Sequence, residues 1–239
     1  MTAPGKQPQR QADTPLRTAQ LTQLTQLTAE GRKPALVVVD VQYDFGDPEY
    51  LGAYQLTPQA LAALDEAVTR IGGLVDEARA LGVAVVWVEL GSDPARPWKS
   101  SNWLRLGDYD AAMSETEPCV VGTPGAQWYR MRPAEGEPRV VKRGYSGFLG
   151  TNLDEKLHAA GYGWLTIVGL TSECCVDATA QDAMQLDWPV VIPRDATAAY
   201  DLAVNEAALA QLELNVAVLS DTEEVVGLWK QAAWKLATS

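Results

Sequence analysis

The sequence predicts an α/β protein of three layers, in which helices cover both faces of a doubly wound, mostly parallel sheet of six strands. Short apolar runs rich in β-branched residues alternate along the chain with amphipathic helical segments. Gly82 stands just beyond the first long helical segment, where a helix-ending residue is expected. Strict alternation of this kind indicates successive strand–helix units, whose strands lie parallel in one sheet.

Each element follows from its local pattern. The first strand begins at Ala35, in the run Ala-Leu-Val-Val-Val-Asp-Val, and the first helix covers residues 58–80, where apolar residues recur at helical spacing. The remaining segments continue the alternation: strands over 83–90, 139–142, 164–170, 189–192 and 216–219, and helices over 153–160, 174–186, 204–212 and from residue 222 onward.

Two segments stand outside this alternation. Residues 1–33 are rich in Gln, Thr and Pro and carry a short Leu-Thr-Gln repeat, which predicts an N-terminal appendage, either flexible or an oligomer arm, before a single domain over 34–239. Residues 91–129 are too long for a simple connection and carry several Pro and Trp residues. Insertions of this kind form lids or pocket walls, with an oligomer contact as an equal alternative.

Composition excludes several classes of protein. The formal charge of -12 over 239 residues argues against nucleic acid or an anionic membrane surface as the main partner. Three cysteines, two of them adjacent, form neither a disulfide framework nor a zinc pattern. We find no secretion signal and no apolar run near the roughly 20 residues that span a bilayer. The expectation is a protein of a reducing compartment, the cytoplasm.

Three chemically active residues follow strands that the sheet places side by side. Asp40 ends the first strand, Lys142 ends the third and Cys175 follows the fourth. Ligands of doubly wound sheets bind at the carboxyl edge where strand order reverses, so the three side chains are expected to converge there. A thiol at a strand–helix turn also meets backbone N–H groups, which favour a nucleophile. The alternative is that Cys175 is an inert core residue.

Four sequence motifs resemble those of a known protein family. They cover residues 35–45, 119–125, 142–148 and 169–176, the last followed by Thr179 and Asp182-Ala183. In this order the chain resembles the cysteine hydrolases of the isochorismatase-like superfamily, in the branch of N-carbamoylsarcosine amidase and the ureidoacrylate and biuret amidohydrolases. The resemblance covers nearly all of the chain after residue 34.

The resemblance implies a Rossmann-like fold, a homo-oligomer and an Asp40–Lys142–Cys175 triad. The nucleophile of the family is the cysteine directly before valine, which selects Cys175 over Cys174. It further implies a cis peptide bond between Leu170 and Thr171, and an oxyanion hole formed by the backbone N–H groups of Thr171 and Cys175.

A mechanism follows as a hypothesis. Asp40 takes the thiol proton, while Lys142 lowers the thiol pKa and holds the carboxylate. Cys175 attacks a small amide or a carbamoyl or ureido compound, and water hydrolyses the thioester. Nicotinamidases of this superfamily bind a metal through histidines after the second strand, which this chain lacks; its one histidine, His158, is predicted at a solvated helix end. No metal and no cofactor are therefore expected.

Substrate contacts are less specific. Phe45, Trp103, Trp128 and Tyr145 are candidates for the pocket wall, with ordinary packing as an equal alternative. Gln42 and Asp44 are expected to orient the loop after the first strand by hydrogen bonds. The rival interpretation of the whole chain is a thiol-redox or small-molecule-binding protein on the same fold that uses the adjacent cysteines without turnover.

Overall fold

Parallel strands form the middle layer of the computed structural model, which describes residues 14–238, with side chains through residue 231. The strands are β1 (Lys33–Val39), β2 (Ala84–Leu90), β3 (Arg139–Lys142), β4 (Tyr162–Leu170), β5 (Val190–Pro193), β6 (Thr197–Ala198) and β7 (Val218–Ser220). The sheet runs in the order β3-β2-β1-β4-β5-β7, and the two-residue β6 pairs with β4. These strands all pair in parallel, so the predicted six-stranded, doubly wound sheet is confirmed, with β6 as an addition too short to show in the pattern.

Helices cover both faces of the sheet. Alternate residues of β1 enter opposite cores: Leu36 and Val38 pack on the side of α3 and α8, and Val37 and Val39 on the side of α5, α6 and α7. This burial on both faces explains the continuous apolar run in the sequence. The helices are α1 (Pro15–Ala29), α2 (Tyr43–Gly46), α3 (Pro58–Leu81), α4 (Lys99–Leu106), α5 (Leu153–Ala159), α6 (Asp177–Gln185), α7 (Leu202–Asn215) and α8 (Thr222–Thr238).

The described part of the predicted appendage is a helix that packs on its own chain. Leu24 and Leu27 of α1 are buried in the core shared with α3 and α8. The Trp164 indole N–H of β4 donates to Thr28 Oγ1 at 3.0 Å, and both residues are buried. Residues 1–13 lie outside the described part of the chain, and the division of the chain at residue 33 stays a prediction.

The strand order reverses between β1 and β4, and this junction is unusually close. A Cβ on Gly169 would lie 2.0 Å from the carbonyl oxygen of Val39, and Gly169 has φ +137°, a value that side chains rarely allow. Just beyond β1, Asp40 itself adopts φ +52°. This left-handed conformation, which costs a non-glycine residue of the order of 1 kcal/mol, turns the chain at the carboxyl edge of the sheet.

Two side chains that follow β1 hold the insertion after β2 in place. The Gln42 amide donates to the carbonyls of Leu90 and Ala126 at 3.0 and 2.9 Å, and accepts from the Leu90 N–H at 2.9 Å. Asp44 accepts the N–H of Cys119 at 2.6 Å. These bonds confirm that Gln42 and Asp44 orient the loop after the first strand.

Among the helices of the described region, none is long and apolar enough to cross a membrane.

Candidate active site

The three side chains predicted to converge lie in contact at the strand-order reversal. Lys142 Nζ lies 2.7 Å from Asp40 Oδ2 and 3.3 Å from Cys175 Sγ. A third bond, from Lys142 Nζ to the Gly144 carbonyl at 2.9 Å, holds the ammonium in place. Asp40 and Lys142 are fully buried, and Cys175 is 6% exposed. Lys142 therefore bridges the carboxyl group of Asp40 and the thiol of Cys175 at a position that is almost completely shielded from solvent.

Burial and charge set the protonation of this cluster. Burial raises the pKa of the Asp40 carboxyl, and the Lys142 ammonium opposes this only in part. Burial alone would lower the pKa of Lys142, but the negative charges of Asp40 and Cys175 outweigh it, so that this pKa is raised and the ammonium persists. Burial thus disfavours the ionised form of Asp40, whereas the negative groups beside Lys142 favour its charged form.

The pKa of the Cys175 thiol differs from the expectation that Lys142 lowers it. A hydrogen bond with Cys174, burial and the charge of Asp40 raise the pKa of Cys175 well above its ordinary value, although Lys142 acts in the opposite direction. The same hydrogen bond lowers the pKa of Cys174. The predicted lowering by Lys142 is therefore present but outweighed.

Cys175 lies in a single π-helical turn, Ser172–Val176, that leads into α6. The N–H groups of Cys174 and Val176 donate to the Thr171 carbonyl at 3.2 and 3.1 Å, and the Ser172 hydroxyl bonds to Asn205 Oδ1 of α7 at 2.8 Å. The Leu170–Thr171 peptide bond is cis. Thr171 and Cys175, the predicted oxyanion-hole residues, thus stand at the start and near the end of this turn.

The loop that follows Lys142 is held by the helix that follows Cys175. Thr179 Oγ1 accepts the Gly147 N–H at 3.0 Å, and the Ser146 hydroxyl donates to Asp182 Oδ2. The sequence motif includes Thr179 and Asp182 but does not indicate what these two residues do. Their spacing of four and seven residues from Cys175 places all three on one helix face, which is the signal that points to a shared function.

The four candidate substrate contacts occupy different surroundings. Tyr145 packs edge-on against Trp98, with ring centroids 4.8 Å apart, and borders a cleft of about 720 Å³ that Lys142 also lines. Phe45 is half-buried, and its carbonyl accepts the Tyr200 hydroxyl at 3.1 Å. Trp128 packs against Trp87 in the core, and Trp103 is 61% exposed on α4. Of the four, only Tyr145 lines the cleft, and their contact with substrate stays a prediction.

Histidine takes no part in this site. His158 is largely exposed on α5, 3.3 Å from Asp154, and its ring lies against Trp188. This agrees with the predicted solvated helix end. Over residues 14–238 there is no cluster of three or more His, Cys, Asp or Glu side chains arranged to hold a metal ion.

The fold, with these three side chains at its strand-order reversal, is that of the isochorismatase-like hydrolases. The chain belongs to the isochorismatase family, whose isochorismatase domain profile matches residues 34–224. The resemblance seen in the sequence is thereby confirmed.

Comparison with named proteins of the family indicates the class of reaction. The chain is 27% identical over 218 residues to ureidoacrylate amidohydrolase RutB of Caulobacter vibrioides, covering 87% of this chain and 96% of that protein. It is 30% identical over 165 residues to maleamate amidohydrolase of Pseudomonas putida, covering 69% and 72%. The crystal structure of N-carbamoylsarcosine amidase from Thermoplasma acidophilum aligns with a TM-score of 0.61 at 27% identity, covering 80% and 96%. The prediction of a hydrolase acting on non-peptide C–N bonds is confirmed.

Proposed function

We propose that the protein is a metal-independent cysteine amidohydrolase that cleaves a C–N bond of a small amide or a carbamoyl or ureido compound through a thioester. The observation that carries the proposal is the position of Lys142 Nζ, within 2.7 Å of Asp40 and 3.3 Å of Cys175. A buried ammonium between a base and a thiol keeps both groups in position and compensates the negative charge that either group acquires.

The proposed reaction has two halves. In the first, Asp40 accepts the Cys175 proton while sulfur attacks the carbonyl carbon, and the backbone N–H groups of Thr171 and Cys175 stabilise the oxyanion. The C–N bond breaks, Asp40 returns the proton to the departing ammonia or amine, and a thioester remains. In the second half, Asp40 takes a proton from water while the water oxygen attacks the thioester. The C–S bond breaks, the acid is released, and Asp40 returns the proton to the leaving sulfur, which restores the thiol and the carboxylate.

Two features support this substrate class and the absence of a metal. The relatives are named for ureidoacrylate and maleamate, and the structural neighbour for N-carbamoylsarcosine, all small amide or carbamoyl compounds. The sequence also has no histidine after the second strand, where nicotinamidases of the superfamily bind metal. Activity should therefore survive exhaustive dialysis against a chelator, and loss of activity that is restored by a divalent metal would contradict this part of the proposal.

The test uses the two adjacent cysteines as matched variants. Ammonia release is measured over a panel of small amides and ureido compounds for the wild type, Cys175→Ala and Cys174→Ala. We expect Cys175→Ala to abolish turnover and Cys174→Ala to retain it, with both variants folded by circular dichroism. Wild-type activity in Cys175→Ala would refute the scheme.

A second candidate, a thiol-redox or binding protein, is favoured by one observation: Cys174 and Cys175 are adjacent free thiols, the first partly exposed and the second buried. Alkylation by iodoacetamide separates the two functions. The hydrolase requires modification of Cys175 that slows in Lys142→Met, because the ammonium lowers the thiol pKa, and that changes in Asp40→Asn, because the carboxyl group raises this pKa and is the proposed proton acceptor. Equal, slow modification of both cysteines, unaffected by these variants, would favour the second candidate.

A further inference from the structure

Lys142 and Cys175 follow strands that are not neighbours in the sheet. β3, which ends at Lys142, is the edge strand, and β2 and β1 lie between it and β4, which leads to Cys175. With about 4.8 Å between adjacent strands, the sheet alone leaves these two strands about 14 Å apart. The distance of 3.3 Å between Lys142 Nζ and Cys175 Sγ therefore depends on the segments that follow the two strands.

The segment after β3, residues 143–147, is bonded to the helix that continues the turn of Cys175. In the part of the chain that the structure describes, β3 pairs with β2 alone, so no strand supports its other edge. Two side chains of α6 hold the segment instead. Asp182 Oδ2 accepts the Ser146 hydroxyl at 2.5 Å, and Thr179 Oγ1 accepts the Gly147 N–H at 3.0 Å.

These two bonds lie in a tightly packed place. Thr179 is fully buried, and Ser146 is 6% exposed. A Cβ on Gly147 would lie 3.1 Å from Val88 Cγ1 of β2 and 3.3 Å from Thr179 Cγ2. The segment is thus enclosed between the sheet and α6, where a lost hydrogen bond is poorly replaced by water.

The same segment fixes the ammonium. The Gly144 carbonyl, two residues before Ser146, accepts from Lys142 Nζ at 2.9 Å. A closed series of contacts therefore runs from the thiol along α6, through the two bonds to the segment, and back to the ammonium at the thiol. Any movement of the segment away from α6 changes the distance between ammonium and thiol.

We infer that Thr179 and Asp182 are positioning residues, which hold the Lys142 ammonium at the Cys175 thiol through residues 143–147. This inference rests on the proposed function, in which the ammonium compensates the charge that the thiol acquires. The attraction between two charges weakens with distance, so a small retreat of the ammonium makes the thiolate harder to form.

The test uses two variants at each position, one that breaks the bond and one that keeps it. Asp182→Ala removes the acceptor of the Ser146 hydroxyl, whereas Asp182→Asn keeps an oxygen of the same geometry. Thr179→Val keeps the shape of the side chain without its hydroxyl, whereas Thr179→Ser keeps the hydroxyl and loses a methyl group. The control Thr28→Val removes the acceptor of the buried Trp164 indole N–H, on the other side of the sheet.

The first measurement is the pH dependence of alkylation of Cys175 by iodoacetamide, resolved from Cys174 by peptide mass spectrometry. Lys142 lowers the pKa of this thiol, whereas Asp40 and Cys174 raise it, and no variant replaces any of these residues. We expect both bond-breaking variants to shift the alkylation profile to higher pH and to slow the reaction at about pH 8 by about 3- to 10-fold. The bond-keeping variants and the control should stay within about twofold of the wild type.

The second measurement is ammonia release from the best substrate of the amide and ureido panel. The bond-breaking variants should lower kcat by about 3- to 10-fold with little change in KM, because the bonds act on the reacting groups and not on substrate binding. Circular dichroism and urea unfolding report separately on the fold. If one bond-breaking variant does not fold, the variant at the other position carries the test.

Several results would overturn the inference. Normal alkylation in a folded bond-breaking variant shows that its bond only stabilises the fold. Equal impairment in Asp182→Asn and Asp182→Ala shows that the charge matters and not the bond, and slow alkylation in Thr28→Val shows a general loosening. A wild type that releases ammonia from no compound refutes the proposed function instead, and slowed alkylation in the bond-breaking variants then still supports the positioning of the ammonium.

Discussion

Replacing Lys142 by Met should destabilise the protein strongly, because it leaves the Asp40 carboxylate buried without a counter-charge. Both side chains of this pair are fully buried and 2.7 Å apart. Removing one partner of a buried pair costs about 3 to 5 kcal/mol, since the remaining ion keeps its desolvation penalty. Met fills nearly the same volume, so the lost charge and not a cavity accounts for the change.

The free energy of unfolding is measured with urea for the wild type, Lys142→Met and Lys142→Met/Asp40→Asn. With a slope of about 3 kcal/mol per molar, the single variant should unfold at a urea concentration about 1 to 2 M lower. The double variant should recover most of this, because Asn has the shape of Asp without its charge. As a surface control, Lys99→Met breaks the exposed contact with Asp110 and should change the midpoint little.

The pH dependence of the free energy of unfolding provides a second test, because the charge explanation predicts its direction. Burial already raises the pKa of Asp40 in the folded wild type, and loss of the ammonium removes the main opposing charge. A carboxyl group whose folded pKa lies above its unfolded pKa binds protons more tightly when folded, so stability rises as pH falls from the folded value toward the unfolded one. The deficit of Lys142→Met should therefore shrink in acid. A deficit that is independent of pH, or that Asp40→Asn fails to relieve, would refute the charge explanation.

Three further outcomes are expected. In wild-type enzyme, kcat/KM should fall as pH falls through the pKa of Asp40, because only the carboxylate accepts the thiol proton; since burial raises this pKa above its ordinary 3.8, an acid limb at or below pH 3.8 would contradict the role. Gly169→Ala should lower Tm sharply, because its methyl group would meet a main-chain oxygen of β1 2.0 Å away, whereas Gly73→Ala, in an open helical position, should stabilise by about 0.5 to 1 kcal/mol; similar Tm shifts would argue against the close approach. Thr28→Val leaves the buried indole N–H of Trp164 without its acceptor and should cost about 1 to 3 kcal/mol in urea unfolding, so an unchanged midpoint would show that this bond contributes nothing.

The convergence of the triad is predictable from the sequence for a simple geometric reason. Apolar runs identify the strands, and parallel strands bring their carboxyl ends to one edge, so Asp40, Lys142 and Cys175 had to meet. The same pattern gives the bounds of α3, because its apolar residues and its ends, capped by Thr57 and Gly82, agree on one segment.

Properties that depend on the folded surroundings were not predictable. The raised pKa of Cys175 comes from burial and from Cys174, neither of which a motif reveals. The helix α4 lies in the insertion, for which the sequence predicts no helix or strand, so only the folded chain reveals it. The position of α1 depends on a tertiary contact, the bond from Trp164 to Thr28, because three leucines at short spacing do not determine what a helix packs against.

The packing of α1 determines where the chain can be truncated for expression. The family domain covers residues 34–224, yet the apolar face of α1 lies in the core beside α8, which extends to Thr238. Trimming the chain to the family boundaries would strip one helix, shorten another and leave Leu36 and Trp164 with less cover. We therefore expect the unit that folds cooperatively to be larger than the domain by which relatives are recognised, and the excised domain to aggregate through the uncovered face.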